Sequence, residues 1–300
     1  MTTIPETARI DLHTHSLRSD GRGTPGQVMR EAAEAGLDIV ALTDHDTVAG
    51  WDEARSAATE LGLGFIPGIE LTTRVQRNTE HKFTVHLLAY LPDPSDPQLK
   101  AVLSDSVDSR IDRLQQITER LSEDFDITWQ HVQQVLADGK VAGRPAIADA
   151  MIERGIIQTR DPFFDWVRPG TKYYVPNRGV PETVDAIAMV RAAGGVPVIA
   201  HPMARGHGPN PGDPMPRAHF LDLIEAGLAG FEAFHRDVPD HVRDWLVALA
   251  QEFDLFVTGS SDYHGTGKEN RLGENLTQSQ ALSRLLSQAR DLSLASLKND

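Results

Sequence analysis

Arg9-Ile10-Asp11-Leu12-His13-Thr14-His15 and Ile39-Val40-Ala41-Leu42-Thr43-Asp44-His45-Asp46 decide how this chain folds. Each is a short apolar run that ends on side chains able to hold a metal ion. In an extended strand residues i and i+2 project to one face, so His13 and His15 can grip a single ion where the first run ends. Between the two runs the spacing predicts a helix over residues 24–36, with Thr24 as N-cap, Pro25 at the first helical position and Gly36 as terminator. A helix over about 48–61 follows, then strands at 65–67 and 83–90. Strand–helix alternation of this kind argues for a parallel α/β architecture.

Leu91-Pro92-Asp93-Pro94 breaks the pattern with a turn-rich stretch. From about 96 to 179 the chain reads as wholly helical, with Val107, Ile111, Leu114, Ile117 and Leu121 at helical spacing and shorter helices near 129–136, 145–154 and 161–167. Alternation resumes with helix 181–193, strand 196–200, helix 218–226, strand 230–234, helix 240–253, strand 255–258 and a last helix over 278–289. The expected organisation is one barrel-like domain built from 1–95 and 180–300, interrupted by a helical insertion at 96–179. The Gly/Pro-rich piece 203–216 is expected to be a loop, with the composition of a lid.

Every metal-ligand candidate falls in or at the end of one of these strands or on the loop after it. Asp20 follows the first pair beside Gly21; Glu70 closes Gly68-Ile69-Glu70; His86 lies inside the fourth strand; His201 follows 196–200; and Asp262 and His264 stand two residues apart after the last strand. In α/β barrels such strand ends converge from distant parts of the chain. His81, His131, His219 and His241 lack that placement and are read as ordinary surface or core histidines.

The 300-residue chain has no cysteine, which excludes disulfides, thiolate ligands and a cysteine nucleophile. A metal must be held by nitrogen and oxygen, a set that suits Mn, Fe or Zn. With 43 acidic and 29 basic residues the formal charge is −14, which disfavours long duplex nucleic acid as a partner but not a small phosphorylated substrate held through cations. The first eight residues have neither a basic nor an apolar signal region, and no run approaches the roughly 18 apolar residues that span a bilayer. A cytoplasmic protein with no membrane contact and no obligatory protein partner is expected.

Together, Asp-Leu-His-Thr-His with Asp20, Thr43-Asp44-His45-Asp46, Glu70, His86, Ala200-His201-Pro202 and Asp262-Tyr263-His264 resemble the motifs of the polymerase and histidinol phosphatase (PHP) superfamily. The resemblance implies a distorted (β/α)7 barrel and three ion positions. His13, His15, Glu70 and Asp262 would hold the first; Glu70, His86 and His201 the second; Asp20, His45 and His264 the third. Asp11, Asp44 and Asp46 would orient ligands, or serve as plain strand-end and N-cap carboxylates. Two to three divalent ions of that kind activate water for attack on a phosphate ester.

The helical insertion, with Gly143-Arg144-Pro145-Ala146-Ile147-Ala148 and Tyr173-Tyr174-Val175-Pro176, resembles the subgroup that acts on nucleoside 3′,5′-bisphosphates or trims short RNA from the 5′ end. Arg144 would bind substrate phosphate through its fork, and Lys172 is a further phosphate contact. His207 and His235 are expected as phosphate contacts or general acids. One departure stands out: the subgroup usually has histidine where this chain has Ala146. Rival readings are a histidinol-phosphate phosphatase, a non-catalytic PHP module and an amidohydrolase.

Overall fold

The computed structural model describes residues 4–75, 83–137, 143–176, 179–203 and 216–297. In chain order the elements are β1 (Ile10–Asp11), α1 (Pro25–Glu34), β2 (Ile39–Leu42), α2 (Trp51–Leu61), β3 (Gly64–Val75), β4 (Phe83–Tyr90), α3 (Pro97–Leu121), α4 (Trp129–Ala137), α5 (Arg144–Glu153), α6 (Asp161–Trp166), α7 (Thr183–Ala192), β5 (Val196–Ile199), α8 (Arg217–Glu225), β6 (Gly230–Phe234), α9 (Asp240–Glu252), β7 (Phe256–Gly259) and α10 (Ser279–Gln288). Two compact units result, one from 1–100 and 181–300, the other from 101–180.

In the first unit the seven strands lie side by side in chain order. The sheet nearly closes on itself through one bridge beyond its strands, Thr14 to Tyr263, reinforced where His15 N–H donates to the Tyr263 carbonyl at 2.8 Å. That bridge joins the loop after β1 to the loop after β7, so His15 meets Asp262 and His264. Local signals set the pieces. Thr24 and Gln27 form a reciprocal capping box at the start of α1, Pro25 sits just inside it, and Gly36 leaves it at φ 72°. Ile10, Leu12, Ala41, Ile66, Leu88, Val198 and Phe256 pack into one apolar core with Leu282 and Leu285 of α10.

The sheet is not wholly parallel, as the alternation suggested. β4 runs antiparallel to both β3 and β5, and β3 extends to Val75, well past the apolar run at 65–67. The reason is the connection. Only residues 76–82 separate β3 from β4, too few for a helical crossover but ample for an antiparallel return. This is the distortion in the (β/α)7 barrel, and it has a consequence: the antiparallel pair β3 and β4 contributes Glu70 and His86 from within the strands, whereas His201 and Asp262 follow the ends of β5 and β7.

The second unit is helical among its described residues. Leu114, Ile117, Leu121, Val132, Val135, Ile147, Met151 and Phe163 form its core. Ala146 is buried in that same core, so its side chain serves packing.

Candidate metal centre

Nine side chains converge at one end of the barrel. His13 Nε2 and His15 Nε2 lie 2.9 Å apart. Glu70 Oε2 is 3.2 and 3.1 Å from them, and Asp262 Oδ1 is 3.5 and 3.2 Å away. Metal–nitrogen and metal–oxygen bonds of about 2.1 Å in a tetrahedron imply ligand atoms about 3.4 Å apart. The four donors fit that spacing.

Glu70 turns its other oxygen to a second group. Oε1 is 2.8 Å from His86 Nδ1 and 3.0 Å from His201 Nε2, while Oε2 also lies 3.2 Å from His45 Nδ1. A third cluster forms around Asp20, whose Oδ1 is 3.0 Å from His264 Nε2 and whose Oδ2 is 3.8 Å from His45 Nε2. His15 belongs to this cluster as well as the first, and His45 reaches both Asp20 and Glu70. The sequence expectation gave each of them to one ion alone.

Several of these contacts are short yet not aligned as hydrogen bonds. His45 Nδ1, His86 Nδ1 and His264 Nε2 are buried without a hydrogen-bond partner despite carboxylate oxygens within 3.2 Å. Lone pairs that converge on a common point, instead of pointing along one another, suit a cation between them. The residues present therefore fit divalent ions with nitrogen and oxygen ligands.

Charge follows the same plan. Burial alone raises the Glu70 carboxyl, but the imidazoles of His45, His13 and His86 outweigh it and hold it well below the usual carboxylate range. Burial pushes His45 down to about 4, leaving it a neutral ligand at pH 7. His15 behaves oppositely. Burial pulls it down, yet Asp262 and Glu70 prevail and hold it up at about 9, so its proton must leave before a metal can bind.

The sequence reading missed Glu232. This fully buried carboxylate in β6 accepts from His13 Nδ1 at 2.9 Å, from Ser260 Oγ at 2.5 Å and from the His201 backbone N–H at 2.8 Å. It fixes the His13 tautomer so that Nε2 faces the other ligands. Burial raises it, but the His13 charge dominates and brings it to about 2. Its signal was a lone acid inside an otherwise apolar strand, Gly230-Phe231-Glu232-Ala233-Phe234.

Asp11, Asp44 and Asp46 bind the backbone and hydroxyl groups around the clustered side chains, Asp11 through the His13 N–H at 3.4 Å and Asp44 through Ser19 Oγ, which lies 3.3 Å from His15 Nδ1. Asp44 accepts from Ser16 N–H, Ser16 Oγ and Ser19 Oγ at 2.6–2.7 Å, and so shapes the turn that carries Asp20. Asp11 accepts from the backbone of Ser261 and Gly273, and Asp46 from Thr72. Backbone strain gathers here too: Asp46, His201 and Asp262 have φ of 52°, 27° and 51°.

His235, on the turn after β6, is buried. Its Nδ1 accepts from Asp237 N–H at 3.1 Å, which leaves the proton on Nε2, 3.7 Å from Asp262 Oδ2. Arg144 and Lys172 belong to the helical unit. Arg144 opens α5 and lies over the Phe164 ring at 5.7 Å. Lys172 pairs with Asp124 and Glu123. His207 and the proposed lid over 203–216 fall almost wholly outside the described residues, as does His81. Of the other histidines set aside, His131 bonds Arg154 at 3.2 Å, His219 is on the buried face of α8, and His241 is exposed on α9.

A nearly closed seven-stranded barrel with clustered histidines and carboxylates at its ligand-bearing end defines a metal-dependent phosphoesterase. The chain belongs to the PHP family: the PHP domain matches residues 11–147. It is 31% identical to a 5′-3′ exoribonuclease of Haemophilus influenzae over 90% of this chain and 95% of that one. It is 30% identical to a 3′,5′-nucleoside bisphosphate phosphatase of Chromobacterium violaceum over 88% and 90%. A crystal structure from Bifidobacterium adolescentis, of a protein assigned as a metal-dependent phosphoesterase, superposes with a TM-score of 0.85 at 39% identity, covering 97% of this chain and 99% of that one.

Proposed function

We propose that this enzyme hydrolyses small phosphorylated nucleotides, acting as a phosphatase on nucleoside 3′,5′-bisphosphates or as a 5′-3′ exonuclease on short oligoribonucleotides. The observation that carries the reading is the position of Glu70, whose two carboxylate oxygens face two different groups of histidines. The likeness to two curated nucleotide phosphoesterases over nearly the whole chain supports the substrate class. A cytoplasmic setting goes with such substrates.

His13, His15, Glu70 and Asp262 would hold one ion, Glu70, His86 and His201 a second, and Asp20, His45 and His264 a third, with Mn, Fe or Zn suited to this donor set. When bound, such ions supply an activated water for attack on phosphorus and neutralise charge on the phosphate oxygens. The chain's own residues do the rest. Glu232 holds the His13 ring in the orientation that presents Nε2. His235 carries its proton on Nε2, beside Asp262, where it can be given to the departing ester oxygen. Arg144 grips a phosphate through its planar fork. Lys172 is the weaker contact, because Asp124 and Glu123 must first release it.

Phosphate release from adenosine 3′,5′-bisphosphate and from histidinol phosphate, and mononucleotide release from a 5′-phosphorylated trinucleotide, test the reading. Turnover of either nucleotide at least tenfold above histidinol phosphate is expected. Turnover of histidinol phosphate alone would discard the nucleotide assignment.

A further inference from the structure

The chain after β7 folds back on itself. Asp262, at φ 51°, is followed by Gly265 at φ 71° and a single 3-10 turn over Gly265–Gly267. Six positions after Asp262, the Lys268 Nζ donates to its Oδ2 at 2.9 Å. Asn270, itself buried, pins the returning segment by donating to the Ser261 carbonyl at 2.7 Å, and Gly273 N–H pins it again on Asp11 Oδ2 at 2.9 Å. The loop delivers the lysine to the carboxylate.

The two oxygens of Asp262 therefore have different surroundings. Oδ1 faces His13 Nε2 and His15 Nε2 at 3.5 and 3.2 Å, while Oδ2 faces Lys268. His235 Nε2 also approaches Oδ2, but at 3.7 Å it is too far to hydrogen-bond, and among the described residues it has no hydrogen-bond partner. The last torsion of an aspartate is soft, so the side chain alone does not stop the carboxylate from turning both oxygens to one ion or engaging the His235 proton. Stability does not account for the lysine. Its side chain is 34% exposed, and an ion pair that open to water adds little to folding.

We propose that Lys268 is a positioning residue of the metal centre: by holding Oδ2 it restricts Asp262 to ligation through Oδ1 and leaves the His235 Nε2 proton available for transfer. The inference rests on the assignment of Asp262 to the first ion and goes beyond it, and it does not depend on which phosphate ester is the substrate. A carboxylate kept to one oxygen leaves a coordination position open for water.

The test uses cobalt(II), whose visible bands weaken as its coordination rises from tetrahedral towards octahedral. Lys268→Met lowers the absorption per bound ion as Asp262 turns its second oxygen inward. It also lowers kcat on adenosine 3′,5′-bisphosphate about 10–100-fold, the usual effect of losing a group that supports a ligand, with KM within about twofold of wild type. The chain has no cysteine, so Lys268→Cys carries a single thiol. That variant shows both losses. Its thiolate displaces bromide from 2-bromoethylamine, and the ammonium arm so formed, of lysine's length, restores absorption and rate to within about threefold of wild type. Iodoacetamide leaves a neutral amide there and restores neither. Wild-type enzyme passed through both reagents controls for damage elsewhere.

Wild-type absorption in Lys268→Met overturns the positioning role, as do losses in Lys268→Cys that aminoethylation leaves in place or that the neutral amide repairs equally. Asp262→Asn separates this from failure of the ion assignment. A changed spectrum there beside an unchanged one in Lys268→Met removes the lysine and keeps the ligand, whereas no change in either removes both. If the spectra respond as expected but no nucleotide is hydrolysed, the role of Lys268 stands and the proposed substrate class falls.

Discussion

Glu232 accepts the Nδ1 proton of His13 at 2.9 Å, and both side chains are fully buried at the foot of the ligand cluster. A buried carboxylate behind a ligand histidine makes the imidazole more basic and selects its tautomer. Glu232→Gln keeps the volume and removes the charge. Metal affinity at the first ion position should drop about 10–100-fold, the range found when such supporting partners are lost. Titration with a chelator-buffered metal measures this, and wild-type affinity in the variant would rule the supporting role out.

Glu70→Ala should abolish phosphate ester hydrolysis, because this one carboxylate contacts His13, His15 and His45 through Oε2 and His86 and His201 through Oε1. Metal analysis of the purified variant should show fewer ions per chain than the wild type. Retention of more than a few per cent of the rate with metal supplied would refute a shared ligand.

Arg144→Ala should act on the substrate and not on the metals. A charge-assisted hydrogen bond is worth about 1.5–3 kcal/mol, so KM should rise roughly 10-fold to 150-fold. Metal content should stay at the wild-type level, and its loss would mean that the arginine serves the helical unit's structure instead.

The protonation of His15 predicts a pH dependence with a definite sign. Without metal its folded-state value is about 9 against the usual 6.5. Metal must displace that proton, so this one group should make apparent affinity climb by up to about tenfold per pH unit above pH 7, flattening as pH nears 9. Stability of the metal-free protein should move the other way. A group raised on folding contributes fully below about 6.5 and loses its contribution as pH rises through about 9. Thermal unfolding of metal-free and metal-loaded protein at pH 7 and 9 would reveal the opposed trends, and a pH-independent metal affinity would contradict the assignment.

Much of this was legible because it is local. The capping box at Thr24 and Gln27, the terminating Gly36 and the i, i+2 pairing of His13 with His15 depend on neighbours within a few positions. The antiparallel course of β4 was not, since a strand's direction depends on its connection to the neighbouring strand and not on its own apolar pattern. Glu232 was hidden for a related reason. An acid alone among apolar residues announces burial, but nothing nearby in the chain says that its partner is His13, 219 positions away.

By itself, then, the sequence determined the order of strands and helices, the exclusion of thiolate chemistry and the residue types available to hold a metal. Only the tertiary structure decided how those residues are shared. The bridge from Thr14 to Tyr263 draws the two ends of the sheet together, and Glu70 offers an oxygen to each of two histidine groups. Metal ligation depends on donor atoms meeting within a few ångströms, and for residues drawn from every part of the chain that distance is set by barrel closure.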